Sequence, residues 1–222
     1  IGNDVMLDNN GMIIYGINAG GKSSFLKSIG CCLILAQMGM YVPCDSFEYV
    51  PFRNIMTKIV ITDNMFKEKS TFVCEMLELK HMVDLASPTS IILCDELCSS
   101  TESLSGVSIL ASAIKEFVGR GCCFVLTSHL HSLLEVNDMK GFICGNDKRN
   151  DIGDNKGKDK IDTNIQASLR IYNFSVEFKE GRIHYPRKLL PGSGDSLYGL
   201  EIAKGLNFSN TFISNSFKYR EE

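Results

Sequence analysis

The sequence predicts an α/β fold with a mostly parallel sheet flanked by helices, and three observations carry that expectation. Short, wholly apolar runs of strand length recur along the chain. Between them lie longer segments whose apolar residues return every three or four positions, the period of a helix packed on one face. Strands separated by such helices cannot pair as hairpins, so they lie parallel with helices on the sheet faces. A chain of 222 residues, 44% of them hydrophobic, can bury one substantial core of this kind with a small C-terminal appendage.

The elements follow in order. GMIIYG, residues 11–16, reads as a buried strand, and Phe25, Leu26, Ile29, Leu33 and Ala36 mark a helix that stops at Gly39. After the turn-rich stretch from Pro43 to Pro51, Ile55 to Ile61 is a second strand candidate. Phe72, Met76, Leu79, Val83 and Ala86 mark an amphipathic helix ending before Pro88. Ile91 to Cys94 is a strand, Val107, Leu110, Ile114 and Phe117 mark the next helix, and Cys122 to Leu126 the next strand. Residues 145–163 are rich in Asp, Lys, Asn and Gly, too polar to offset the entropy of ordering, and are expected to form a mobile surface loop. Ala167 to Phe178 and Arg182 to Leu189, split by Glu180-Gly181, predict a β-hairpin. Helices are expected from Ser196 to about Lys204 and from Ser209 to Glu222.

Composition limits the function classes. A net charge of −3 and a pI near 5.9 exclude a protein that grips nucleic acid over its whole face. The nine cysteines lack the C-x-x-C pairs of a zinc or redox motif, so they are expected to be buried small hydrophobes in a reducing compartment. The longest apolar segments fall short of a membrane span, and the first residues lack the layout of a secretory signal. A soluble intracellular protein is expected, with cytoplasm, nucleus, organelle and viral factory all open. A first residue that is Ile1, with a strand close behind it, suggests a domain cut from a longer chain.

The chemistry concentrates at GINAGGKS, Gly16 to Ser23, which fits G-x-x-x-x-G-K-[ST] between a strand and a helix. Gly16, Gly20 and Gly21 let backbone N–H groups of the loop, including those at Asn18 and Ala19, turn inward as an anion nest. The helix that follows adds its positive dipole end, Lys22 is placed to reach the β- and γ-phosphates, and the Ser23 hydroxyl to meet Mg²⁺. The plain alternative is a glycine-rich turn with an exposed lysine. Ile91 to Cys94 then delivers Asp95 and Glu96 at a strand end, where ligands bind in open α/β sheets. Asp95 suits Mg²⁺, held through water, and Glu96 suits a general base for attack on the γ-phosphate. His129, after the Cys122 to Leu126 strand and Thr127-Ser128, suits a γ-phosphate sensor or water-orienting group, whereas His131 reads as a packing imidazole.

Together these blocks resemble the ATPase domain of the MutS family of DNA mismatch-repair proteins. GINAGGKSS, Gly16 to Ser24, is similar to that family's phosphate loop, including Asn18 and the double glycine. Ser70-Thr71-Phe72-Val73-Cys74-Glu75-Met76 resembles a block that in the family's dimer faces the opposite subunit's nucleotide, so the resemblance implies that Ser70 acts in trans. Ser90 to Glu96 with Thr101, then Thr127-Ser128-His129, are similar to the Walker B strand and the Thr-His segment after it. Ser196-Leu197-Tyr198-Gly199-Leu200-Glu201-Ile202-Ala203 is similar to the helix that precedes the family's dimerising end. The wording of DELC with Thr101-Glu102, and of SHLH, further resembles the branch found in plant organelles and large DNA viruses.

The resemblance implies a P-loop NTPase of ABC-ATPase type, using ATP and Mg²⁺, with Lys22, Glu96 and His129 catalytic and Ser23 and Asp95 at the metal. Gly16, Asn18, Ala19, Gly20, Gly21, Lys22, Ser23, Ser24 and, in trans, Ser70 would hold the nucleotide. The implied partners are a second copy of the domain, mismatched double-stranded DNA reached through parts outside these residues, and other repair proteins, with no membrane. The expected division is a P-loop ATPase core over 1–144, the polar loop 145–163, a β-hairpin over 164–195 completing the domain, and dimerising helices over 196–222. Two departures stand out. Ile17 and Ala19 replace the usual Pro and Met, and Cys98-Ser99-Ser100 replaces an Arg-Gly loop at the subunit interface, where coupling or turnover is expected to suffer.

Three rivals remain at this stage. Another ABC-superfamily ATPase, of chromosome-maintenance or transporter type, would carry its Leu-Ser-Gly-Gly signature ahead of Walker B, but Leu104-Ser105-Gly106 comes after it. A P-loop kinase would need a basic lid segment. A dimerisation scaffold that binds nucleotide without hydrolysis would fit the missing arginine and glycine around Ser99-Ser100.

Overall fold

The computed structural model describes residues 1–7, 11–59, 71–98, 100–143, 169–174, 176–179, 182–194, 199–206 and 208–221. Strand β1 (Gly11–Gly16) leads into helix α1 (Lys22–Gln37), and β2 (Asn54–Lys58) into α2 (Thr71–Leu85). Then come β3 (Ser90–Cys94), α3 (Ser103–Gly119) and β4 (Cys123–Ser128). These lie where the periodicity predicts them. In the six-stranded sheet the order is β2-β3-β4-β1, followed by β5 (Leu169–Phe174) and β8 (Leu189–Pro191), with only β5 and β8 antiparallel. The chain therefore leaves β1, crosses to the far edge at β2 and returns strand by strand, which puts β4 between β1 and β3.

Both faces of the sheet are buried, which is why these strands read as unbroken apolar runs. Met12 and Ile14, Ile91 and Leu93, and Cys123 and Val125 pack with Leu26 and Leu33 of α1. Their neighbours Ile13 and Tyr15, Ile92 and Cys94, and Phe124 and Leu126 pack on the other face with Leu79 and Met82 of α2 and Leu110, Ile114 and Phe117 of α3. Burial of each such Leu, Ile or Phe contributes roughly 1.5–3 kcal/mol. That two-sided core holds the carboxyl ends of β1, β3 and β4 side by side.

The structure refines or corrects four of these expectations. The inward face of α2 carries Leu79 and Ala86, with Met76 and Val83 packed at its margin, as the spacing predicts, and it takes in Met82 and the charged Glu75 as well. Glu75 is held there in a buried ion pair. The arm after β4 pairs antiparallel on either side of 180–181, as the hairpin predicts, through β5 with β8 and β6 (Glu177–Lys179) with β7 (Arg182–His184). What the hairpin does not predict is that β5 also runs parallel to β1, with Gly16 beside Phe174. A 3₁₀ turn at His131–Glu135 and α4 (Asn137–Phe142) fill a stretch for which the sequence predicts no element. Leu133 and Met139 anchor them to the core.

The cysteines divide. Cys94, Cys98, Cys122 and Cys123 are buried as expected, but Cys31 and Cys44 are exposed, and the sulfurs of Cys32 and Cys44 lie 3.9 Å apart as free thiols. Helices α5 (Gly199–Gly205) and α6 (Asn210–Glu221) pack on each other near the chain's end, with Ile213 buried. The residues expected to form the polar loop, 145–163, and the start of the Ser196 helix lie outside the described residues. Among the described residues, no helix is long and apolar enough to cross a membrane.

Candidate functional site

The turn after β1 is built by backbone conformations that few side chains tolerate. Gly16 sits at φ 143° and Gly21 at φ 111°, with Ala19 at φ 65° between them. A Cβ on Gly16 would meet the Phe174 carbonyl at 2.9 Å, a backbone atom that cannot move aside. Gly16→Ala is therefore expected to lower stability by about 2 kcal/mol or more, read as a shift in the denaturant midpoint. Ala19 accepts the left-handed region at a cost of roughly 1–2 kcal/mol, where glycine would be free.

Gly21 caps α1 without any side-chain hydrogen bond, so the helix presents its amino-terminal N–H groups and dipole to the turn. Lys22 is buried at 4% exposure and donates from Nζ to the carbonyls of Gly16 at 2.6 Å and Ile17 at 3.2 Å. Asn18, Ala19 and Ser24 are exposed, Ser23 is half-buried in the first helical turn, and Gly20 is buried, its N–H bonded to the Ile17 carbonyl.

The acidic pair reaches the same place from β3. Lys22 Nζ lies 3.5 Å from Glu96 Oε1, the contact that joins the two sequence motifs. Thr127, on the strand between them, donates its hydroxyl to Asp95 Oδ1 at 2.6 Å and accepts the Glu96 N–H at 2.9 Å. The Asp95 N–H is held by the Lys58 carbonyl at 2.7 Å. Glu96 and Cys98 both take positive φ, 49° and 64°, so the turn carrying the carboxylates is a constrained one.

His129 ends β4 exposed, just past Thr127 and Ser128. His131 packs its ring 4.6 Å from that of Tyr15, in keeping with a packing role, and burial beside His129 lowers its pKa. Ser70 lies outside the described residues.

Sequence reasoning missed the support under this site. Glu75 and Lys58 form a buried ion pair at 2.6 Å, with side chains 4% and 5% exposed. Glu75 Oε1 also accepts the Cys98 N–H at 2.8 Å, and Oε2 accepts the Ser100 hydroxyl. Burial pushes the Glu75 carboxyl up, but bonds from Lys58 and Ser100 outweigh it and hold the pKa below its ordinary value. Burial and the Glu75 charge together push the Cys98 thiol up to about 11. The signal available was a glutamate three residues after Phe72 and four before Leu79, on the apolar stripe of its helix.

The chain is similar to known proteins over most of its length. Residues 12–147 match MutS domain V. The mitochondrial DNA mismatch repair protein mutS homolog of Sarcophyton glaucum is 33% identical over all of this chain and 20% of its own length. A DNA mismatch repair protein mutS homolog of Acanthamoeba polyphaga mimivirus is 32% identical over 93% of the chain and 17% of its own. The DNA mismatch repair protein msh-2 of Neurospora crassa is 30% identical over all of the chain and 23% of its own. The chain thus spans about a fifth of the length of these relatives. A match over the β1 to β4 body, with the turn after β1 and the Asp95-Glu96 end of β3 both inside it, identifies the chain as a member of the MutS family through domain V.

Proposed function

We propose that this chain is a Mg²⁺-dependent ATPase domain of ABC type in a DNA mismatch-repair protein. It closes with a second copy around ATP and thereby switches how DNA-reading parts outside these residues clamp mismatched double-stranded DNA. The observation that carries the reading is the 3.5 Å approach of Lys22 to Glu96 across the ends of β1 and β3, with Thr127 from β4 fixing Asp95 and Glu96 between them.

The residues present fit a triphosphate with Mg²⁺. An uncapped helix end, a buried ammonium and backbone turned by Gly16, Ala19 and Gly21 suit phosphate oxygens, and Gly20 and Asn18 complete the loop. Ser23 and Asp95 supply the oxygens for Mg²⁺, which neutralises phosphate charge when bound. Ser24 lies one residue further into the helix and adds an exposed hydroxyl to the same first turn. Glu96 serves as the general base that takes the proton of the attacking water, and His129 orients that water or senses the γ-phosphate. Ser70 of a second copy completes the site. Residues 1–144 and 164–195 form the ATPase domain in this reading, and 196–222 contribute to pairing of the two copies.

The test is binding of a fluorescent ATP analogue with Mg²⁺ to the chain and to Lys22→Ala. A lost charge-assisted bond to phosphate of roughly 1.5–3 kcal/mol predicts binding weakened about 10- to 100-fold. Equal binding by both would remove Lys22 from the nucleotide site.

A further inference from the structure

Resting on the ATPase reading above, we propose that the buried Lys58–Glu75 pair positions the hydrolytic turn. It holds residues 95–98 and Ser100 in the shape that aims Glu96, and it ties that turn to α2. Two non-glycine residues within three, Glu96 and Cys98, occupy the left-handed region. Such a conformation persists only where surrounding groups over-determine it. Here they do so from two sides.

Thr127 holds one side, through Asp95 Oδ1 and the Glu96 N–H. Glu75 holds the other, through the Cys98 N–H and the Ser100 hydroxyl. Lys58 acts twice, accepting the Asp95 N–H at its carbonyl and directing the Glu75 carboxylate with its ammonium. An ionised carboxylate is acceptor-only and can serve the ammonium, a backbone N–H and a hydroxyl at once. Glutamine keeps one acceptor oxygen but loses the charge that pairs with Lys58, and its NH₂ group can face only the Ser100 hydroxyl, reversing that bond. Glu75 also lies one helical turn past the start of α2. A shift of that end therefore reaches the turn bearing Glu96 through a single side chain.

The experiment compares the chain with Glu75→Gln and Ser100→Ala in three measurements. ATP turnover is resolved into kcat and KM, hydrogen exchange is followed in the peptide spanning 95–101, and alkylation of Cys98 is mapped by mass spectrometry. Glu75→Gln is expected to lower kcat about 10- to 100-fold with KM within about twofold, and to speed Cys98 alkylation at least about tenfold. The buried Cys94, Cys122 and Cys123 should stay protected, which separates a released turn from an unfolded chain. Should Glu75→Gln fail that control, Ser100→Ala carries the test, since Ser100 is exposed and its loss removes one bond. A smaller fall in kcat, about threefold or more, with faster exchange over 95–101 supports the proposal. Unchanged kcat in a folded variant overturns it, whether or not the turn is released. A parent chain whose turnover equals that of Lys22→Ala overturns the ATPase reading and the inference with it. An active parent matched by its variants overturns the inference alone.

Discussion

Glu96→Gln should bind nucleotide like the parent chain and hydrolyse it at least about 10²-fold more slowly, the scale of a lost general base. The substitution keeps the side chain's size and one oxygen, so Thr127 can still accept the residue's N–H. What it removes is the basic oxygen to which the proposed function gives the proton of the attacking water. It also removes a carboxylate 3.5 Å from Lys22, so the ammonium loses a competitor for phosphate and binding has no reason to weaken. Single-turnover hydrolysis beside equilibrium binding separates the two effects. Parent-like turnover by Glu96→Gln would take the base role away from Glu96.

The largest stability effect is expected at Lys58. Lys58→Met leaves the Glu75 carboxylate buried without its cation, and breaking such a pair costs about 3–5 kcal/mol. Replacing both partners, as Lys58→Met with Glu75→Leu, should recover part of this loss. Recovery stays incomplete, since the Cys98 N–H then lacks an acceptor at a cost of about 1–3 kcal/mol. Denaturant midpoints for the three variants check the ordering.

The pH dependence has a definite sign. The Glu75 pKa in the folded chain lies below its ordinary 4.5, so its contribution is complete above the unfolded-state value. It is lost as pH falls through the lower folded-state value. In Lys58→Met the unpaired carboxylate is pushed the other way by burial, so the stability gap between parent and variant should narrow as pH falls from the variant's raised value through the parent's lowered one. A gap that stays constant down to acid unfolding would show that the pair is not what holds Glu75 ionised.

The contrast between Lys22 and Lys58 shows what a sequence discloses. Lys22 belongs to a contiguous motif whose neighbours are fixed by one turn, and the Asp95-Glu96 pair ends a strand whose apolar run is unmistakable. The sheet direction then places both at the same edge, and that much is legible. Lys58 and Glu75 sit on different elements, and each looks ordinary alone: a polar end to a strand and a glutamate on a helix. Only the packing of β2 beside β3, under α2, makes them partners. The arm is legible only in part for a related reason. Residues 169–174 alternate like a hairpin strand and pair with β8 accordingly, yet their second partner is β1, more than 150 residues earlier in the chain. The exposed Cys31 misleads because adjacency to apolar residues on a helix says nothing of which face it shares, and the exposed Cys44 lies beyond the end of α1.

The central claim is that two copies of this domain complete an ATPase site, and one measurement tests it most directly. Mg²⁺-dependent ATP hydrolysis is followed over a wide range of protein concentration, with Lys22→Ala as the blank. Specific activity that climbs with concentration is the predicted result, because each site then needs a residue from the other copy. Activity no higher than the blank at every concentration would contradict the account and leave a nucleotide-binding scaffold in its place.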